Sequence, residues 1–195
     1  MLSLGIESTA HTFSIGIIDE NCTILALVSD TYQPTKGGLK PNDVFEHHYQ
    51  HFDKILQKAM KNANISFNQI ELISFSQGPG LGPCLRFGAV FARTLALKLQ
   101  IPLVGVNHCI AHIEIGRALC KIDDPITLYV SGGNTIISAY ENERYQIFGE
   151  TMDIAIGNMI DMVARDLGIP HPGGPKIEQL AQKGSKMISL PYVVK

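Results

Sequence analysis

Two histidines, His108 and His112, stand four residues apart in the stretch Val106 to Gly116. On a helix that spacing brings two side chains onto one face, about 5–6 Å apart at Cβ, so both imidazoles can reach one metal ion. Neutral imidazole is a common ligand for zinc and iron. The same spacing fits two partly buried helix histidines satisfied by hydrogen bonds, and the residues alone leave both readings open. Two ligands do not make a stable site. Tyr129, in Tyr129-Val130-Ser131-Gly132-Gly133-Asn134-Thr135, is a candidate third. That stretch reads as strand, tight Gly132-Gly133 turn and strand, where backbone N–H groups can approach an anion closely.

A peptidase needs more than the histidines. The zincin pattern His-Glu-x-x-His places a general base directly after the first histidine. Cys109 holds that position here, followed by Ile110 and Ala111, and Glu114 comes only after the second histidine. The base is missing, and the metalloprotease reading falls with it.

The carboxylates come next. Glu7 lies in Gly5-Ile6-Glu7-Ser8-Thr9, a second turn between two strands. One such loop is an ordinary hairpin feature; two equivalent ones are what a polyphosphate clamp requires. Asp161 sits among small and apolar residues in Gly157-Asn158-Met159-Ile160-Asp161. It reads either as the solvated edge of a core helix or as an acceptor for a ribose hydroxyl. Pro172-Gly173-Gly174-Pro175 would let backbone approach a flat ligand, with Glu178 one helical turn further on. Gln77 to Leu85 reads as a rigid Gly-Pro loop at a helix start, whose N–H groups could also face an anion. Lys54, Lys58 and Lys61 share one helix face, either solvated or in contact with a partner or tRNA.

These groups must be positioned by a fold, and the bulk numbers bound it. The chain has 195 residues, 45% hydrophobic and 17% charged, with a formal net charge of −2. That composition buries a core and is no polybasic nucleic-acid binder in its own right. Cys22, Cys84, Cys109 and Cys120 have no C-x-x-C spacing and read as reduced cytosolic thiols. The first residues lack a basic n-region, and no apolar run reaches the ~18 residues of a membrane span. A soluble cytoplasmic protein is expected.

Strands are expected over 2–7, 11–19 and 23–31, forming a three-strand meander, followed by a loop over 32–42. Asp43, three residues ahead of Glu46, gives a capping-box signal for a helix to about Lys61. A strand over 70–76 leads through the Gly-Pro loop into a helix over 84–99, low in charge and so expected to be largely buried. A strand over 101–106 follows, and Asn107 is the expected cap of the helix carrying both histidines. Strands over 126–131, 135–141 and 145–150 precede a helix over 153–167, stopped by Gly168 and Pro170, and a short helix over 176–182. The order strand-strand-strand-helix-strand-helix thus begins a second time. The expected domains are 1–124, carrying the histidine pair, and 125–195, an incomplete second copy.

That repeated unit resembles the actin, sugar-kinase and heat-shock ATPase architecture, in which a nucleotide lies between two similar halves. The last part of such a fold is not found in these residues, so a fragment or truncated product is expected. Against ordinary Mg-ATP phosphotransfer, Glu7 stands where the sugar-kinase pattern has aspartate, and one glycine is lacking. Several stretches together resemble one family: Gly5 to Thr12, Gln77 to Pro83, Val106 to His112, Tyr129 to Thr135, Asp153 to Asn158 and His171 to Glu178. It is the archaeal and eukaryotic tRNA threonylcarbamoyltransferase family, the catalytic subunit of the KEOPS complex, once labelled O-sialoglycoprotein endopeptidase.

The resemblance implies transfer of threonylcarbamoyl from threonylcarbamoyl-AMP to an adenosine beside the tRNA anticodon. It implies iron or zinc on His108, His112 and Tyr129, and an adenylate held by Tyr129, Val130, Ser131, Gly132, Gly133, Asp161, Gly174 and Glu178. The family's further aspartate ligand and adenine-contacting asparagine belong to its C-terminal part and are not among these residues. Glu7 is the expected general base. The implied partners are tRNA, a small dimerising subunit and a kinase-like subunit, contacted through the helices over 43–61 and 84–99. Two other classes remain: an ATP-dependent phosphotransferase of the same fold, and a non-catalytic docking fragment.

Overall fold

The computed structural model describes residues 1–34 and 38–189. Residues 35–37 of the expected 32–42 loop, and 190–195 of the expected second domain, lie outside the described residues. The chain divides into two compact units, Met1–Pro125 and Ile126–Lys195.

The first unit is an α/β layer. Its strands are β1 (Ser3–Glu7), β2 (Thr12–Ile18), β3 (Ile24–Thr31), β4 (Leu72–Gly78) and β5 (Leu103–Asn107), arranged β3-β2-β1-β4-β5. The first three pair antiparallel as a meander, while β1–β4 and β4–β5 are parallel. Parallel neighbours need crossovers, and the helices α1 (Pro41–Ala63) and α2 (Gly82–Leu99) supply them. α1 packs on β2 and β3, α2 packs on β4, and the two helices touch. Alternation in β1 turns Leu4 and Ile6 to this side, where Phe13, Ile15, Ile17 and Ile73 join Ile55, Leu56, Ala59 and Met60 of α1 and Phe91, Ala92 and Ala96 of α2. Phe52 and Phe91 meet edge to face at 5.2 Å between ring centroids, a favoured aromatic arrangement. β5 leads directly into α3 (His108–Cys120).

The second unit holds an antiparallel sheet, β6 (Thr127–Val130), β7 (Thr135–Glu141) and β8 (Arg144–Glu150), then α4 (Ile156–Asp166) and α5 (Gly174–Gln182). Its apolar residues are far less covered: Leu128, Ile147 and Phe148 are exposed, and so are Met159 and Val163 of α4. Among the described residues, no helix is long and apolar enough to cross a membrane.

The expected order of elements holds, with four local corrections. α1 begins at Pro41, with Lys40 as N-cap and no side-chain cap bond, so Asp43 is not the cap. Proline's fixed φ suits the first helical position, and Asp43 instead places its charge in the first turn, where the helix dipole favours it. α2 buries only a stripe of Cys84, Gly88, Phe91, Ala92 and Ala96, while Leu97 is 79% exposed; low charge did not mean burial all round. α4 starts at Ile156, because the Asp153 carboxylate accepts from Ile154 N (2.6 Å) and Thr151 Oγ1 (3.1 Å), closing a turn ahead of the helix. A 3-10 turn at Phe67–Gln69, capped reciprocally by Ser66 and Gln69, was not expected.

Candidate metal and adenylate site

Asn107 caps α3, its side-chain oxygen accepting from Cys109 N at 2.9 Å and Ile110 N at 3.2 Å. The cap opens the helix at His108 and brings His108 and His112 together, with ring centroids 4.6 Å apart and planes at 89°. His108 Nδ1 lies 3.1 Å from Glu7 Oε2, across 101 residues of sequence, and 3.2 Å from Thr9 Oγ1. Glu7 also accepts from Thr9 N (2.6 Å), Thr9 Oγ1 (2.5 Å) and the Ser76 hydroxyl. Burial opposes the charge on Glu7, but hydrogen bonds from His108, Ser76 and Thr9 outweigh it and lower the pKa to about 2.

An ionised carboxylate only accepts. His108 Nδ1 must therefore donate, and in the neutral ring the lone pair is then on Nε2, the tautomer a metal ligand needs. Burial, then the neighbouring His108, pushes the His112 pKa down and favours its neutral form. The donor chemistry of the pair fits a borderline metal ion such as zinc or iron.

The Gly-Pro loop ahead of α2 holds the Glu7 turn in place. Leu81 N donates to Thr9 O at 2.7 Å and Ser8 Oγ to Cys84 O at 3.2 Å. A Cβ on Gly80 would run into Thr9 O, and one on Gly88 into Ser8 Oγ. At Gly80 two backbone segments nearly touch, and at Gly88 the Ser8 side chain lies against the helix. The sequence marked this loop as rigid and as a possible anion-facing turn; its role as the seat of Glu7 needed the tertiary contact.

The remaining expected residues lie in the second unit. Tyr129 and Val130 end β6, and the turn that follows is closed by Ser131 N to Asn134 O at 2.8 Å. Ser131 Oγ accepts from Gly133 N (3.2 Å) and Asn134 N (2.9 Å), so these two N–H groups are turned inward in this structure. A Cβ on Gly132 or Gly133 would meet nothing, and neither has positive φ. The protein's own packing therefore does not require glycine at either position. Gly157, opening α4, is pressed against Ser131, with its N donating to Ser131 O at 3.1 Å.

Asp161 is neither a bare core edge nor an uncommitted acceptor. Its Oδ1 accepts from Gly173 N at 2.8 Å and its Oδ2 lies 3.2 Å from His171 Nδ1, clasping α4 to the 171–173 loop. Gly174 opens α5 and Glu178 lies on its exposed side, 3.5 Å from Gln182 Nε2. The structure thus gathers Glu7, His108 and His112 in one unit, and the Ser131–Asn134 turn and the Asp161 clasp in the other.

One cluster was missed from sequence. Among the described residues, three side chains of His, Cys, Asp or Glu type with ligand atoms within 4.8 Å of one another are found at Asp30, His47 and His51. The i, i+4 spacing of His47 and His51 on α1 was a visible signal; Asp30, across on β3, was not.

The family model described as tRNA N6-adenosine threonylcarbamoyltransferase matches residues 23–195. A protein of that name from Thermococcus kodakarensis is 55% identical over the whole chain, which spans 59% of it. A probable bifunctional tRNA threonylcarbamoyladenosine biosynthesis protein from Methanothermobacter thermautotrophicus is 54% identical, and the chain spans 36% of it. In structure, component A of (R)-2-hydroxyglutaryl-CoA dehydratase from Acidaminococcus fermentans superposes with TM-score 0.54 at 14% identity, over 97% of this chain and 61% of that one. YeaZ from Pseudomonas aeruginosa gives 0.54 at 14% identity, over 77% of this chain and 68% of that one. The fold is of the actin, sugar-kinase and heat-shock ATPase type, and the chain belongs to the tRNA N6-adenosine threonylcarbamoyltransferase family.

Proposed function

We propose that these residues form the N-terminal part of a cytoplasmic enzyme that transfers threonylcarbamoyl from threonylcarbamoyl-AMP to the amino nitrogen of an adenosine beside the tRNA anticodon. One observation carries the reading: Glu7, charged and held by four donor groups, fixes His108 with Nε2 available beside His112. His108, His112 and Tyr129 would hold iron or zinc, which would orient the donor and polarise its carbonyl oxygen.

The protein's residues do the rest. The turn is open where a Cβ would stand on either glycine, and with the Gly133 N–H released from Ser131 Oγ the Ser131–Gly133 backbone would receive the adenylate phosphate and stabilise AMP as leaving group. Asp161, Gly174 and Glu178 would complete the adenylate contacts, Asp161 by keeping the 171–173 loop in place as well as by accepting a ribose hydroxyl. Glu7 acts as a positioning residue for His108 rather than as the general base, since its oxygens are taken up by donors. The units Met1–Pro125 and Ile126–Lys195 are read as the two halves of the repeated fold.

Partners are proposed on the same footing: tRNA, a small dimerising subunit meeting the exposed faces of α1 and α2, and a kinase-like subunit. The "bifunctional" names of several relatives fit a second activity working alongside this one. The test uses the full-length protein with its complex subunits, assayed for modified tRNA after His108→Ala and, separately, Asp161→Ala. Loss of modification in both is expected. Unchanged modification in either removes that residue's assignment.

A further inference from the structure

We propose that Asp30, His47 and His51 form a second cation site, where α1 meets β3, for a divalent transition-metal ion of the zinc type. His47 Nε2 lies 3.1 Å from Asp30 Oδ1. The His47 and His51 rings lie one over the other, 4.4 Å between centroids and 29° between planes. One ligand atom from each of the three residues falls within 4.8 Å of the other two. Around an ion with bonds near 2.0–2.1 Å, tetrahedral ligand atoms stand about 3.3 Å apart. The Asp30–His47 distance already meets that value, and the partly exposed Asp30 and His51 can close the remainder.

At His51 the protonation pattern suits the role, whereas His47 Nε2 donates to the Asp30 carboxylate in the metal-free protein and would give up that proton to bind an ion. His51 Nδ1 lies 2.7 Å from the His47 main-chain oxygen, which can only accept, so Nδ1 carries the proton and Nε2 the lone pair. The buried His47 Nδ1 has no hydrogen-bond partner, so the ring's only polar tie to the fold is the Nε2 contact with Asp30. The Asp30 side chain is 42% exposed, and an Asp–His pair with one partner this open to solvent stabilises a fold little. Two nitrogens and one oxygen favour Zn²⁺, Co²⁺, Ni²⁺ or Cu²⁺ over Mg²⁺ and Ca²⁺, which prefer all-oxygen shells. Three protein ligands leave room for a water as the fourth. The bound ion would tie α1 to the edge strand β3, independently of the His108 pair.

Zn²⁺ is titrated, in competition with a chromophoric chelator, into full-length protein carrying His108→Ala and His112→Ala. One equivalent bound is expected, with affinity falling at least tenfold when His51→Gln or Asp30→Asn is added. Zn²⁺ should raise the Tm of the background protein and not that of the added variants. If the background does not fold, Co²⁺ loading of the wild type against His51→Gln reads the same difference as the loss of one equivalent. No uptake in the background, or uptake that His51→Gln leaves unchanged, overturns the site. Both substituted residues are partly exposed, and an unaltered metal-free Tm confirms that folding is intact.

Discussion

Two histidine pairs at the same i, i+4 spacing sit on different helices of one unit, each with a carboxylate from a neighbouring strand. At α3 the carboxylate meets the inner nitrogen, Glu7 against His108 Nδ1. At α1 it meets the outer one, Asp30 against His47 Nε2. The rings stand nearly perpendicular in the first pair and nearly parallel in the second. A carboxylate on Nδ1 orients a ligand whose Nε2 faces elsewhere, whereas one on Nε2 stands among the ligands themselves. On the proposed reading, the α3 pair would present an ion to a reacting group, and the α1 pair would hold one between a helix and a strand.

The largest separation of the two should come from activity. His108→Ala should lower tRNA modification by the full-length enzyme by more than about 100-fold, beyond the usual effect of an outer partner, while His51→Gln leaves it within about twofold. Modified adenosine quantified in the product tRNA reads both. Equal losses would mean the two pairs are not functionally distinct.

Next come the carboxylates. Glu7→Gln keeps the size but lets an amide N–H face His108 Nδ1, so metal affinity or activity should fall about 10–100-fold. Asp30→Asn should leave tRNA modification unaffected while weakening Zn²⁺ uptake at α1. A Glu7→Gln enzyme of full activity would remove Glu7 as the orienting group.

The glycines around the two turns test what each is for. Gly80→Ala drives a methyl into Thr9 O, under the Glu7 turn, and should cost about 1–3 kcal/mol by overpacking. Gly132→Ala meets open space, so urea unfolding should be nearly unchanged while adenylate affinity drops. A destabilised Gly132→Ala would mean its glycine serves the fold rather than a ligand.

Local signals were readable and long-range ones were not. The Asn107 cap, the meander and the stop at Gly168 depend on neighbours within a few residues, and the chain states them directly. The contact of Glu7 with His108 spans 101 residues, so no spacing rule reveals it, and Glu7 read as a base from its expected place in a cleft, with its hydrogen-bond partners out of view. Asp43 read as a cap because Asp-x-x-Glu is a strong local pattern, but Pro41 two residues earlier claims the first helical position. His47 and His51 carried the same spacing as His108 and His112. They stood out less because no turn or glycine motif accompanied them, and Asp30 joins them only through the packing of α1 on β3.

The last effect lies at the joint between the Glu7 turn and the start of α1. Cys84 is fully buried at the start of α2; its carbonyl accepts from Ser8 Oγ beside the Glu7 turn, and its thiol points to Pro41 O at the start of α1. Burial pushes its pKa up to about 11, so at pH 8 it is a protonated, unreactive thiol. Brief alkylation of the native protein should modify the exposed Cys22 and Cys120 and spare Cys84 until denaturant is added. Between its ordinary value near 9 and about 11, the unfolded chain releases the Cys84 proton first, so folding stability falls as pH rises through that window. The loss should be on the order of 2 kcal/mol, read as a lower urea midpoint at pH 11 than at pH 8.5, and Cys84→Ala should flatten that part of the profile. Rapid labelling of Cys84 in the native protein would mean that the joint between the Glu7 turn and α1 opens readily, and neither histidine pair could then rely on it for a fixed geometry.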